Sequence, residues 1–437
     1  MVIERFEKFR QQLNKPVDPA SLALFRIGFG ALMACALVRF LAKGWVHDLF
    51  IEPTWFFPFT GFEWIKPLPS PWIYFHVFLL LAAAIGIALG WRFRLSATIF
   101  FFGFTYLELI DKTNYLNHYY LVSILAGLLI FLPADRPWSL SRSSKKGEPI
   151  PVWTVYLLRF QLAVVYFFAG LAKLNSDWLL EAQPLRIWLA ARDDLPLIGS
   201  LMDEVWVAYA ASWTGFVYDL TIAAFLLWPR TRPAAYVAVL LFHLATALLF
   251  PIGLFPWLMM VATPIFFQPS WPRRFFKSRS VPQLNPVPNP STPLPIPILL
   301  PLAIFALLQI VFPLRHLAYE GPVAWDYRGF NFSWRVMAAE KAGFASFMVT
   351  DASGQWKEVR PEERLTSLQA KMMAQDPEMI RCFAQSLAAE YRERGWNDVR
   401  VTVDAWASLN GKPSKRLINP EVDFARELPD CWILPWR

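Results

Sequence analysis

The chain has 437 residues, of which 56% are apolar and 17% are charged, and it contains 21 Trp and 38 Phe. This composition excludes an ordinary soluble protein, a disordered chain and a collagen-like repeat. The net charge of +8 comes from basic residues in short loops between apolar runs, which is typical of a membrane protein and not of a nucleic-acid-binding protein. Three cysteines are too few for a disulfide framework or a four-thiolate zinc site.

Nine apolar runs predict membrane spans, because each is long enough, or nearly so, to cross a hydrocarbon core of about 30 Å as a helix. The third, fourth and eighth runs are short, so the span count is open by about one. The runs are 19–42, 72–90, 95–110, 119–133, 152–173, 206–228, 233–250, 252–268 and 294–313.

Basic residues recur in alternate loops, and under a nine-span count all of these loops share the side of the N-terminal segment 1–18. They lie at 5–15, 92–94, 136–146, 230–232 and 273–279. An excess of basic residues predicts the cytoplasmic side, and an odd number of spans then places the C-terminus outside. That side is the periplasm of a bacterium or the lumen of the endoplasmic reticulum. The charged start of the chain does not look like a cleavable signal peptide.

Charge density divides the chain in two. Residues 320–437 hold 33 charged residues among 118, whereas residues 19–133 hold 12 among 115. We therefore predict a membrane domain at 19–313, with a Pro-rich cytoplasmic connector at 280–297, and an outer domain at 314–437. The predicted fold is an α-helical polytopic membrane bundle of about nine spans followed by a small α+β extramembrane domain.

The outer domain alternates strand-like and helix-like segments. The predicted strands are FNFSWRVMA, ASFMVTD, GQWKEVR and DVRVTVDAWASLN, and the predicted helices are 362–374 and 377–393. Cys382 and Cys431 both lie in this domain, on the oxidising side of the membrane. A disulfide between them is one alternative, because nothing in the sequence fixes their distance.

Ionisable residues interrupt the apolar runs, and such residues are costly in a membrane unless they serve a function. Glu108, Asp111, Lys112, Asn117 and His118 follow one another in YLELIDKTNYLNHYY, where some are ordinary interfacial residues. Lys173 ends the fifth run, with Tyr166 and Gly170 on the same helical face. It is either an interfacial lysine that reaches the surface or a desolvated amine that is usable as a base.

His243 lies in the seventh run, where a packing role and a functional role are both open. The predicted topology places Asn117, His118, Lys173, Asp177 and His243 on the outer side, which indicates a polar pocket there. No nucleotide-binding loop, HExxH or GxSxG motif is present, and the five histidines lack ligand-like spacing. We therefore predict no metal site, and base chemistry on a lipophilic reactant that enters from the bilayer. The absence of repeats and of charged residues at mid-span argues against a transporter.

At these residues the sequence resembles the vitamin K-dependent γ-glutamyl carboxylases, which share the horizontally transferred transmembrane domain. The resembling segments occur in family order along nearly the whole chain. They are DKTNYLNHYYL (111–121), VYFFAGLAKLNSDW (165–178), FHLATALLFPIGLFPW (242–257), PLRH (313–316), FSWRVM (332–337) and VDAWASLNGKPSKRLINPEVD (403–423).

The resemblance implies an integral membrane enzyme that converts peptidyl glutamate to γ-carboxyglutamate with reduced vitamin K, O2 and CO2, and forms the vitamin K epoxide. Its implied partners are a Glu-containing peptide or protein, membrane lipid and a vitamin K epoxide-reducing enzyme. The family's lysine base corresponds to Lys173 and its functional histidine to His118. The residues expected to bind the co-substrate are Asn117, His243, Tyr166, Asp111, Asp177 and His316.

The sequence departs from the family pattern in two ways, and these differences leave other functions open. Members with a lysine pair in the AGxKKL motif have a lysine where this chain has Ala172, and the animal enzymes are longer. A quinol epoxidase without dedicated peptide carboxylation is therefore one alternative. A non-catalytic lipid- or quinone-binding membrane protein is another, although such a pocket needs no amine base.

Overall fold

The N-terminal part of the chain is a helical bundle. The computed structural model describes residues 1–141, 147–275, 292–429 and 432–436. In chain order, the helices of the bundle are α1 (Val2–Leu13), α2 (Ala20–Ala42), α3 (Trp45–Phe50), α4 (Trp72–Leu89), α5 (Phe93–Ile110), α6 (Asn117–Phe131), α7 (Trp153–Ala172), α8 (Ser176–Leu180), α9 (Leu185–Ala190), α10 (Gly199–Met202), α11 (Val205–Leu227), α12 (Arg232–Leu249), α13 (Phe255–Ala262) and α14 (Ile296–Val311). A two-stranded ladder of β1 (Pro16–Val17) and β2 (Ile150–Pro151) joins two loops of this bundle.

Within the described ranges, seven helices are long and apolar enough to cross a membrane: α2, α4, α5, α7, α11, α12, and α14 with its continuation to Ala318. The predicted membrane bundle is therefore confirmed. The fourth and eighth predicted runs correspond to α6 and to α13 extended to Phe266, which are shorter apolar helices. The count of nine thus stays a prediction. The third run is longer than expected, because α5 begins at Phe93 and has 18 residues.

One expectation about the spans is wrong. Asp219 is buried inside α11, eight residues before that helix ends, so a mid-span charge is present. Arg26 in α2 is also buried, and its guanidinium donates to the carbonyl oxygens of Ile87 (2.9 Å), Ala88 (2.8 Å) and Trp138 (2.7 Å). It thereby adds donors to carbonyls at the C-terminal end of α4, of which Ile87 also accepts the Gly90 backbone N–H at 3.0 Å.

The C-terminal part is the predicted α+β domain. Its elements are α15 (Val323–Asp326), β3 (Lys341–Thr350), β4 (Trp356–Val359), α16 (Ser367–Met373), α17 (Pro377–Glu393), β5 (Arg400–Leu409) and β6 (Lys415–Arg416). The sheet is antiparallel in the order β4-β3-β5-β6. The apolar face of α17 packs on it, with the Phe383 ring 4.9 Å from the ring of Phe347. The predicted helix at 377–393 and the strands in ASFMVTD, GQWKEVR and DVRVTVDAWASLN are confirmed, and 362–374 is a helix only from Ser367.

The strand predicted for FNFSWRVMA is wrong. Residues 330–339, called here the inserted segment, form consecutive turns. Phe332, Trp334 and Met337 have φ of 58°, 56° and 49°, which no strand permits. Trp334 is fully buried in the core of the membrane domain and stacks on the ring of Tyr120, with the centroids 4.8 Å apart. Burial of these aromatic side chains, rather than strand pairing, explains the alternating pattern.

Ion pairs and hydrogen bonds connect the outer domain to the membrane domain, among them Lys112 to Asp376 at 2.6 Å. Several expectations lie outside the described residues. They concern the basic residues at 142–146, 277 and 279, most of the Pro-rich connector, and Cys431 with its proposed disulfide.

Candidate active site

Lys173 directly follows α7, and its side chain is buried, with 5% of the residue exposed. Its Nζ lies 2.8 Å from Asp219 Oδ2. It also donates to the carbonyl oxygens of Ala169 at 3.2 Å and Val336 at 3.1 Å. An ammonium group has three N–H donors, so all three are used. Lys173 is therefore held inside the protein and does not extend to the surface.

Close packing of α7 against α11 brings the lysine and the aspartate together. A Cβ on Gly170 would lie 2.7 Å from the backbone nitrogen of Leu220, so only glycine permits this approach. Lys173 is three residues beyond Gly170, and Asp219 is next to Leu220. The sequence analysis missed Asp219. The signal that identifies it is a single acidic residue in an otherwise apolar helix of 23 residues.

Lys173 and Asp219 face a cavity of about 340 Å³, called here the lysine cavity. Its walls are mostly aliphatic and aromatic. Tyr166 and His243 also line it, with the Tyr166 hydroxyl 3.2 Å from His243 Nε2. The Lys173 Nζ lies 5.1 Å from the centre of the Trp178 ring. Three of the predicted residues, Lys173, Tyr166 and His243, therefore share one apolar cavity with the unpredicted Asp219.

His118 and Asn117 line a second cavity, of about 980 Å³, called here the histidine cavity. The His118 side chain is buried, and no hydrogen bond joins its ring to any other described residue. Asn117 is anchored at both ends, because the Tyr115 hydroxyl donates to its Oδ1 at 3.1 Å and its Nδ2 donates to the Arg335 carbonyl at 3.3 Å. The asparagine thus fixes the first turn of α6, while the neighbouring imidazole keeps its hydrogen-bonding capacity.

A thin wall separates the two cavities. Phe250, Ile252, Phe255, Val336 and Met337 line both of them. The Phe255 ring centroid lies 6.2 Å from that of His118 and 6.0 Å from that of His243. The inserted segment supplies two of the five wall residues and also the carbonyl that binds Lys173. It therefore belongs to the site as well as to the outer domain.

The remaining predicted residues lie elsewhere. Asp111 accepts hydrogen bonds from the Thr113 backbone N–H (2.9 Å) and the Gln369 side chain (2.7 Å), and it lines none of the three cavities described here. Burial raises the pKa of its carboxyl group, and these hydrogen bonds oppose the rise.

Asp177 and His316 line a third cavity, of about 640 Å³, between the membrane domain and the outer domain. Asp177 pairs with Lys412 at 2.5 Å and accepts from the Asn410 amide at 2.8 Å. His316 Nδ1 lies 2.9 Å from the Pro313 carbonyl oxygen. The eight predicted residues therefore occupy the lysine cavity, the histidine cavity, this third cavity and, for Asp111, a domain contact.

Within the described ranges, the one cluster of histidine, cysteine or carboxylate groups close enough to hold a metal ion is His47, Asp48 and Glu52. All three residues are exposed, and none lines the lysine or histidine cavity. The polar groups of the lysine cavity are an amine, a carboxylate, a phenol and an imidazole, which suit proton transfer with an organic reactant.

Two protein-family models match the chain. The HTTM domain matches residues 14–271, and the lumenal domain of vitamin K-dependent gamma-carboxylase matches residues 297–437. No solved structure matches. The two matches account for the membrane bundle with its buried lysine and for the inserted segment that completes both cavities. The chain therefore belongs to the vitamin K-dependent gamma-carboxylase family and is an integral membrane protein of that family.

Proposed function

We propose that this protein carboxylates peptidyl glutamate to γ-carboxyglutamate, coupled to oxidation of vitamin K hydroquinone to its epoxide with O2 and CO2. The observation that carries the proposal is the buried Lys173–Asp219 pair in an apolar cavity. The Phe255 ring separates this cavity from His118, whose ring has no hydrogen-bond partner among the described residues. A protein that only bound a lipid or quinone would gain nothing from desolvating an amine at this position.

The lysine cavity suits a hydroquinone. A hydroquinone has an apolar ring system and hydroxyl groups that need polar partners, and the cavity offers apolar walls with its polar groups concentrated at Lys173, Asp219, Tyr166 and His243. These residues would hold the ring and its oxygens. When bound, reduced vitamin K supplies with O2 the strong base that removes the γ-proton of glutamate.

Lys173 would take the hydroxyl proton. An ammonium group is no base, so a proton must first move from Nζ to Asp219 Oδ2 across 2.8 Å. That transfer leaves a neutral amine beside a protonated carboxyl group, so it creates no net charge in the apolar cavity. The Ala169 and Val336 carbonyls keep the nitrogen in place. Asp219 therefore acts as the positioning residue and proton acceptor for Lys173.

His118 would act on the glutamate. A neutral imidazole can donate one hydrogen bond to the negative charge that develops on the glutamyl side chain, and no described residue competes for its ring. Asn117 is bound to Tyr115 and to the inserted segment and lines the histidine cavity, so its contribution is to fix the position of His118 and not to contact a quinone in the lysine cavity.

The proposal is tested with purified protein, vitamin K hydroquinone, labelled CO2 and a short Glu-containing peptide. The expected result is label in the peptide together with vitamin K epoxide, both absent without hydroquinone. Epoxide without labelled peptide would support the quinol epoxidase instead. Neither product, in protein that still binds hydroquinone, would support the non-catalytic alternative.

The orientation is also proposed, with the N-terminus in the cytoplasm and the outer domain in the periplasm or lumen. Its support is that, under a nine-span count, the basic loops share the side of the N-terminus. A C-terminal reporter enzyme that is active only in the cytoplasm should be silent, and an active reporter would overturn the topology. The epoxide must be reduced for turnover, so a vitamin K epoxide-reducing enzyme is the proposed metabolic partner.

A further inference from the structure

Arg335 of the inserted segment is a cation without a partner in the part of the chain that the structure describes. No described residue forms an ion pair or hydrogen bond with its guanidinium group, and its Nε is buried. Burial lowers the pKa of the guanidinium to about 10, and no carboxylate acts on it. It therefore remains charged at neutral pH. The residue is half-buried and faces the third cavity. A partly buried charge with no counterion among the described residues is unfavourable, which indicates that a bound anion completes the site.

The carboxylate that lines the same cavity does not supply that anion. It belongs to Asp177, which is already paired with Lys412 at 2.5 Å. Arg315 forms no ion pair with a described residue and donates to the Phe312 carbonyl (2.9 Å) and to Ser333 Oγ (3.0 Å). These hydrogen bonds hold the Arg315 guanidinium group, but no described carboxylate balances its charge. The surroundings are therefore positive.

Arg335 lines the third cavity, whose lining has polar and apolar residues. Asn175, Asn410 and Lys412 are polar residues of this lining, where the outer domain meets the membrane domain. Several of the apolar residues, called here the apolar side, come from the ends of two membrane helices. They are Phe168, Leu171 and Leu174 of α7 and its C-terminal continuation, and Leu314 and Leu317 after α14.

This apolar side is open toward the bilayer. Leu174 and Leu317 are 59% and 72% exposed. In α14, Gln309 is the one buried residue among those described, so the last span packs loosely on the bundle. The cavity that Arg335 lines is therefore bordered by exposed leucines at the ends of α7 and of the last span.

We propose that the third cavity binds a phospholipid of the outer leaflet, with its phosphate on the Arg335 guanidinium and one acyl chain along Leu171, Leu314 and Leu317. A guanidinium group matches two phosphate oxygens with two parallel N–H bonds. An acidic peptide would also satisfy the charge, but it would leave the apolar wall and its exposed leucines unused. The proposal does not rest on the carboxylase reaction, because binding alone is measured.

The test uses the full-length protein, delipidated in detergent, and native mass spectrometry with dioleoyl phosphatidylglycerol. Dioleoylglycerol, which lacks the phosphate, and glycerol phosphate, which lacks the acyl chains, are the matched ligands. Wild-type protein should bind the phospholipid at least about 10-fold more tightly than either of these two ligands, because only the phospholipid contacts both Arg335 and the apolar side of the cavity. Arg335→Gln should bind the phospholipid about 10-fold more weakly, and Arg328→Gln, which removes an exposed and paired arginine nearby, should bind as wild type.

A second variant covers the case in which Arg335→Gln does not fold. Leu317→Gln changes an exposed residue of the apolar rim and should weaken binding of the phospholipid several-fold while leaving binding of glycerol phosphate unchanged. Equal binding of the phospholipid by wild type, Arg335→Gln and Leu317→Gln would overturn the proposal. So would a result in which Arg335→Gln loses binding of a Glu-rich peptide and retains the phospholipid, which would assign the cavity to the peptide.

Discussion

The lysine cavity and the histidine cavity lie on opposite sides of Phe255, and their polar groups differ in hydrogen bonding. In the first, Lys173 has three acceptors and Asp219 as a counterion, and the Tyr166 hydroxyl contacts His243. In the second, the His118 ring has no hydrogen-bond partner among the described residues, although its neighbour Asn117 has two. One cavity is arranged around an internal charge pair, and the other keeps one group free for a ligand.

This difference suggests that the two cavities serve different steps of the proposed reaction. A paired amine can pass a proton within the protein before a reactant arrives, which suits the first proton transfer from a lipophilic hydroquinone. A free neutral imidazole gains its hydrogen bond only when charge develops nearby, which suits a later step. The inserted segment touches both sides, so the outer domain couples them.

The largest effect is expected for Lys173→Ala, which should lower both epoxide and carboxylated product by about 10²–10⁴, as loss of a general base typically does. The measurement is both products from one reaction with hydroquinone, O2 and labelled CO2. Since the substitution also leaves Asp219 buried without its partner, the double variant Lys173→Ala, Asp219→Asn should be more stable than the single variant and equally inactive. Lys112→Ala, which breaks another lysine–aspartate pair, should retain most of the activity. Epoxidation near the wild-type rate would contradict the assignment of Lys173.

Asp219→Asn is expected to lower both products by about 10- to 100-fold, the range for losing one charge-assisted hydrogen bond. Because Asp219 acts through Lys173, the loss should appear in kcat, while the KM for hydroquinone changes little. A purely structural role would lower the amount of folded protein without this split. Asp18→Asn, which breaks the 2.5 Å pair with Arg273, is the matched control and should leave both constants unchanged.

His118→Ala should lower only the carboxylated product, by about 10- to 100-fold, because one charge-assisted hydrogen bond of about 1.5–3 kcal/mol is lost in the step it serves. Epoxide should still form, so the ratio of epoxide to fixed CO2 should rise above unity. His76→Ala is the control, since His76 contacts the Gly103 carbonyl at 2.9 Å and lines none of the three cavities. Equal loss of both products would place His118 in quinone binding or oxygenation. The assignment of separate steps to the two cavities would then be wrong.

Gly170→Ala is expected to have the smallest effect on chemistry and a clear effect on stability. The new Cβ would meet the Leu220 backbone at 2.7 Å, and separating α7 from α11 should cost about 1–3 kcal/mol, as overpacking does. The Lys173–Asp219 distance should lengthen, with a several-fold loss of both products. Gly215→Ala, whose Cβ would meet only the Trp178 ring at 3.7 Å, should be as stable as wild type in thermal unfolding. Unchanged stability and activity of Gly170→Ala would show that close packing is not what forms the pair.

The sequence by itself determined the membrane class, the helix α17, most strands of the outer domain and Lys173 as a candidate base. These features depend on local patterns, namely apolar length, side-chain periodicity and a cation at the end of an apolar run, and each is visible within about twenty residues. The alternating pattern of the inserted segment misled the strand prediction, because aromatic residues alternate there to enter the membrane domain.

Only the tertiary structure decided which polar residues meet. Lys173 and Asp219 are 46 positions apart and are joined by the close approach of two helices at Gly170. Val336 reaches the same amine from 163 positions away. The tertiary structure also separated Asp111 and Asp177 from the lysine cavity, because each binds the outer domain. Pairing across such distances is set by helix packing and domain docking, and no spacing along the chain encodes it.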